Sequence, residues 1–217
     1  MSLCFFSVAM AQSSFYLTAN FDDLNEGSLG SSFSDGGIRF SNLDERIPGP
    51  SGDAFTIQTT TANLPRFSPP NYLTFGGFVP GDTTNFSFGR FGSANIDFPG
   101  MGSFASMNLI AFGTSSTNTL TLEGFLGGNV VASDTITFNG AGWDVVGRTI
   151  SISGMFDSKR LVAAGPDNNG TDFFGVDNVF ITIVPEPPVN SFVCYALAVV
   201  ILRHFGFRAR RNQKAQQ

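Results

Sequence analysis

Between residues 12 and 184 the apolar residues recur at every second position, in short runs cut by Gly, Asn, Asp and Pro. No stretch there holds a 3.6-residue period for longer than two turns, so the pattern is that of strands and tight turns. The two-residue alternation is clear in Gly37–Ser41, Ala54–Thr59, Tyr72–Phe75, Asn85–Phe91 and Thr119–Glu123. Met107–Phe112 is apolar without alternation, as expected of a strand covered on both faces. Thr119–Gly124 and Val130–Phe138 flank Gly127-Gly128-Asn129, a turn sequence that supplies positive φ to a hairpin. Around ten such segments and no internal repeat predict an all-β domain, a jelly-roll-like two-sheet β-sandwich over residues 12–183.

Composition narrows what this domain does. Residues 12–184 carry 7 basic and 16 acidic side chains, a poor match for phosphate backbones, which excludes nucleic acid as the expected partner. They contain no His and no Cys, and Lys159 is their only lysine. Histidine triads, cysteine nucleophiles and histidine metal sites are thereby removed. A carboxylate pair of the glycosidase kind is the enzyme chemistry left. Asp44-Glu45 and Asn95–Phe98 are isolated, however, and solvation accounts for them equally well. The expectation is a non-enzyme.

Three candidate sites remain, each with a plainer reading beside it. If the first and last strands are neighbours, Asp22, Asp23, Glu26 and Asp177 converge, and their hard oxygens suit a structural Ca2+. Alternatively the 22–26 segment caps a turn and Asp177 lies on a solvated edge; no other cofactor is required. Asp167–Asp172 offers oxygen ligands around Gly170 but lacks the distal Glu of an EF-hand, and makes an ordinary turn as readily. Trp143, the sole tryptophan, and Tyr72 are either core or edge residues or rings that stack a sugar.

The two ends have a different character. Residues 1–11 are apolar and close on Ala9-Met10-Ala11, which suits signal-peptidase cleavage before Gln12. The basic n-region of a signal peptide is missing, so the expectation is that the natural start lies upstream. At the other end Val184-Pro185-Glu186-Pro187 breaks any strand. An apolar run follows that includes Phe192, Val193, Tyr195, Leu197, Val199, Val200, Ile201 and Leu202, and then the basic residues Arg203, Arg208, Arg210 and Arg211. Ser191–Leu202 as helix reaches about 18 Å, short of a bilayer core of about 30 Å. Counting through Phe207, with Arg203 snorkelling, gives roughly 25 Å. A single transmembrane helix is expected, with the basic cluster and the 212–217 tail on the cytoplasmic side.

Val-Pro-Glu-Pro, a short hydrophobic helix and an Arg-rich terminus, in that order over residues 184–211, resemble the PEP-CTERM sorting signal of Gram-negative and related bacteria. The resemblance implies cleavage near Pro185-Glu186-Pro187 by exosortase, a membrane cysteine peptidase, after passage through the inner membrane to the cell surface or the extracellular matrix. Asn20–Leu24 and Gly175–Val179 loosely resemble the first and last elements of carbohydrate-binding-module-like jelly rolls. That implies extracellular polysaccharide as a partner, alongside exosortase and signal peptidase. Processing at the motif predicts that protein recovered from the envelope lacks residues 188–217 in mass spectrometry. Replacing Pro185, Glu186 and Pro187 by alanine leaves that tail attached. A wild-type mature chain that still carries Lys214 contradicts the assignment.

Overall fold

The computed structural model describes residues 13–47, 54–59, 66–75, 90–114, 118–138, 142–164 and 173–184. Residues 1–12 and 185–217 lie outside them, and with these the signal-peptide, PEP-motif, membrane-helix and basic-cluster expectations. Ser13–Val184 is one compact unit. Among the described residues every regular element is a strand, and no helix is long and apolar enough to cross a membrane.

Among the described residues thirteen strands run in order: β1 Phe15–Ala19, β2 Gly27–Gly30, β3 Phe33–Asp35, β4 Ile38–Ile47, β5 Phe55–Thr59, β6 Asn71–Phe75 and β7 Arg90–Asp97. They continue as β8 Met101–Thr114, β9 Asn118–Leu126, β10 Asn129–Phe138, β11 Gly142–Phe156, β12 Ser158–Ala164 and β13 Phe173–Val184. Two antiparallel sheets result. One has the order β11-β8-β13-β6-β5-β2, with β1 also on β13; the other runs β10-β9-β12-β7-β4-β3.

The last strand sits in the interior of the first sheet and meets three neighbours. One edge pairs with β8 along its length; the other meets β6 at Val176↔Leu73 and β1 from Val179 to Ile183. A bulge between Asp177 and Phe180, with Asn178 at φ 51°, separates the two halves. The expected pairing of the first and last strands is therefore present. The expected hairpin is present too: Leu126 pairs with Asn129 across Gly127 and Gly128, both at positive φ. Leu109 and Ile110, adjacent on β8, are both fully buried, as their unbroken apolar run suggested.

Between the sheets lies a core rich in phenylalanine. Phe33 stacks on Phe40 with centroids 4.8 Å apart, Phe55 meets Phe33 edge-on at 5.3 Å, and Phe75 packs on Phe91 at 4.4 Å. Each fully buried ring contributes about 2–3 kcal/mol by area, which lets a cysteine-free domain hold together. Lys159 is the exception in this core. It alternates with outward-facing Ser158 and Arg160 and is 1% exposed. Its Nζ has no hydrogen-bond partner among the described residues and lies 5.1 Å from the Phe98 ring centroid. Burial pushes the amine well below the usual lysine pKa.

The β3–β4 hairpin turns at Gly36 and Gly37, and its close approach to β1 requires the first of them. A Cβ on Gly36, which has φ +55°, would lie 1.6 Å from the Thr18 carbonyl oxygen. Gly127 has nearly the same φ, +57°, but open space around that position. Gly36→Ala is therefore expected to lower the melting temperature by at least about 5 °C more than Gly127→Ala, since about 2 kcal/mol moves a domain of this size by that amount. Equal shifts in a thermal melt would show that the β1 contact does not govern this hairpin.

Candidate functional site

On the outer face of the six-stranded sheet the strand register lines up one polar row. Ser41 on β4 is paired with Asn95 on β7, Asn95 with Arg160 on β12, Arg160 with Glu123 on β9, and Glu123 with Ser133 on β10. Their inward-facing neighbours, Phe40, Ile96, Leu161 and Leu122, are buried, so burial of those side chains fixes which way the row points.

Arg160 organises the row. Its Nε and Nη2 donate to Glu123 Oε2 at 3.2 and 2.9 Å, and its Cζ lies 5.4 Å from the Phe125 ring centroid. The pair is half-exposed, so it adds at most about 1 kcal/mol to stability. What it provides is a held orientation of charge and ring. Beside it Ser41 Oγ donates to Asp97 Oδ2 at 3.0 Å. A cavity of about 320 Å3 opens here, lined by Asn95, Asp97, Phe125, Gly128, Ser158, Lys159 and Arg160. Guanidinium, amide, hydroxyl and carboxylate groups face one volume beside an aromatic ring. Such a set satisfies the alternating donors and acceptors of a polyhydroxylated ligand, with the ring taking its apolar side. Glu123 already neutralises Arg160, which disfavours a simple anion.

The residues singled out in the sequence lie elsewhere. Tyr72, read as a sugar contact, is 3% exposed. Its hydroxyl donates to Gln58 Oε1 at 3.0 Å, and Phe67 meets its ring edge-on. Burial, then the negative charge of Glu26, raises its phenol above the ordinary tyrosine value. Tyr72 is a core residue of β6; its aromatic–polar character was equally suited to a buried hydrogen bond. Trp143 falls in β11, but its side chain lies outside the described residues, as does the Asp167–Asp172 segment.

Asp22, Asp23, Glu26 and Asp177 do not form one coordination shell, and among the described residues no three His, Cys, Asp or Glu side chains converge as metal ligands. Asp23 and Glu26 are exposed, and Glu26 accepts from the Thr59 N–H at 3.5 Å. The carbonyls of Phe21, Asp22 and Leu24 are gathered instead by the Asn71 side-chain amide, at 3.3, 3.3 and 2.7 Å.

Asp177 is fully buried under the 66–70 segment. The Ser68 N–H and hydroxyl donate to its Oδ2 at 2.6 and 3.1 Å, and the Asn178 N–H donates to Oδ1 at 2.7 Å. Burial raises its pKa to about 7; those hydrogen bonds oppose the rise and the Asp22 charge adds to it. Asp22 Oδ1 itself is buried without a hydrogen-bond partner among the described residues.

No family model and no curated protein matches the chain. Among solved structures it is similar to an arabinose-bound GH51 α-L-arabinofuranosidase at 15% identity and a TM-score of 0.45, over 77% of this chain and 26% of that one. The chain thus spans about a quarter of that enzyme's length. It is also similar to a family 61 carbohydrate-binding module solved with β-1,4-galactotriose, at 13% identity and TM-score 0.38, over 76% of this chain and 99% of that one. A DUF4465 family protein from Bacteroides caccae is similar at 13% identity and TM-score 0.37, over 83% and 97% of the respective chains.

A raised carboxyl pKa means that the fold favours the protonated form. Stability from Asp177 is fully present below its unfolded value of about 3.8 and is lost as the pH rises through about 7. Relative to Asp177→Asn, the wild type is expected to gain up to roughly 4 kcal/mol between pH 8 and pH 4 in denaturant titrations. Parallel stability curves for the two proteins would contradict the burial of an ionisable group there.

Proposed function

We propose that this is an exported, non-enzymatic bacterial surface or matrix protein whose β-sandwich binds a neutral polysaccharide. The binding surface is the polar row on the outer face of the six-stranded sheet. The observation that carries this is the Arg160–Glu123 pair held over Phe125 beside a cavity of about 320 Å3. Pockets of this size, with a few oriented polar groups, are the usual form of small-ligand and sugar-unit sites. The lack of His and Cys across 12–184 supports binding rather than turnover. Export rests on the apolar 1–11 segment. Sorting rests on the order of motif, apolar run and basic cluster over 184–211, which favours exosortase as the processing partner.

A glycan array with the full chain tests the binding role. Selective binding is expected, weakened at least about tenfold by Arg160→Ala, which removes a charged hydrogen-bond donor worth about 1.5–3 kcal/mol. Undiminished binding by a folded Arg160→Ala protein would refute the site. Release of sugars from any bound polysaccharide, lost on substitution of Glu123 or Asp97, would instead make this a carboxylate glycosidase.

A further inference from the structure

The opposite face of the sandwich carries a second surface of a different kind. Tyr16 on β1, Phe180 on β13 and Phe104 on β8 form a continuous strip on the outside of the seven-stranded sheet. Tyr16 stacks on Phe180 with centroids 5.6 Å apart and an interplanar angle of 23°. Phe104 meets Phe180 at 6.2 Å and 61°. Tyr16 is 67% exposed and Phe104 36%.

The register explains why the rings are outside. Their neighbours along the strands, Ile181 and Ala105, are fully buried, so alternation sends Phe180 and Phe104 to the other face. It also sets hydroxyls between them. One cross-strand row reads Ser153, Phe104, Thr182, Tyr16, and the next reads Ser151, Ser106, Phe180, Thr18. Neither row contains a charged side chain.

We infer that this strip is a second polysaccharide-binding surface, taking the apolar faces of successive sugar rings in a neutral glycan chain. Tyr16 and Phe104, packed against Phe180 between them, offer exposed aromatic surface to sugar C–H groups, and the flanking Ser and Thr hydroxyls can exchange hydrogen bonds with sugar hydroxyls in either direction. The absence of charge from both rows matches a neutral chain and gives no grip to an anionic one. A membrane-seating face would instead need a continuous apolar surface, which the interleaved hydroxyls interrupt. The inference rests on the glycan-binding reading of the six-stranded sheet and extends it. The two surfaces lie on the outer faces of opposite sheets, so a single domain holds two separate chains and acts as a cross-link in a matrix.

The test is retardation of the full chain in native gels containing neutral β-glucan, xylan or galactan, for the wild type, Arg160→Ala, Tyr16→Ala with Phe104→Ala, and all three changes together. Expected is partial retardation of each single-surface variant by a polysaccharide that retards the wild type, and a further loss of about tenfold or more in the combined variant. Should the double aromatic variant fold poorly in a thermal melt, Tyr16→Ala alone serves, since that ring is mostly in solvent. Retardation of Tyr16→Ala with Phe104→Ala equal to that of the wild type overturns the second surface and leaves the first standing. Wild-type protein retarded by no neutral polysaccharide overturns both. A concentration-dependent dimer in analytical ultracentrifugation that Tyr16→Ala abolishes would assign the strip to self-association and likewise overturn the proposal.

Discussion

Everything in this domain depends on where its last strand goes. β13 is the final element of the described chain, yet it lies inside the seven-stranded sheet and hydrogen-bonds to β8, β6 and β1. Among the described strands, β1 pairs with β13 alone, and β6 has only β5 besides it. The first described strand and the last close on each other, a contact of very large sequence separation whose loop-closure entropy the pairing must offset. The same strand places two features of opposite character on one face. Its bulge turns Asp177 under the 66–70 segment, and three residues later Phe180 is held at the surface between Tyr16 and Phe104.

With both cysteines in the end segments, the fold rests on burial and sheet hydrogen bonds. The phenylalanine cluster supplies the burial, and two ionisable groups work against it. Lys159 is carried into the core with no hydrogen-bond partner among the described residues, and Asp177 is buried with hydrogen bonds but close to the charge of Asp22. A buried charge without a partner is more costly than a missing contact, so each group is pushed toward its neutral form.

The architecture was legible because alternation and turn chemistry are local signals. Gly127-Gly128 announced its hairpin, and the unbroken run at Met107–Phe112 announced a strand covered on both faces. The neighbouring of the first and last strands followed from the sandwich form. The binding face was not legible, because it depends on lateral register. Asn95, Arg160 and Glu123 are dispersed along the chain, and only the pairing of β7, β12 and β9 puts them in one row. Nothing in the sequence said which strands adjoin. Tyr72 misled for a physical reason, since an amphipathic ring serves a buried hydrogen bond to Gln58 as well as it serves a sugar. The acidic residues misled because Asp23 and Glu26 stay in solvent while Asp177, on a distant strand, is buried and held by Ser68.

The most direct test of glycan binding by the six-stranded sheet is residue-resolved NMR of the isotopically labelled chain during titration with a neutral oligosaccharide that it binds. Amide shifts should concentrate on Asn95, Asp97, Glu123, Phe125 and Arg160, on three adjacent strands. Shifts confined to the loops, or none in β7, β9 and β12 at saturation, would show that the sugar is held elsewhere.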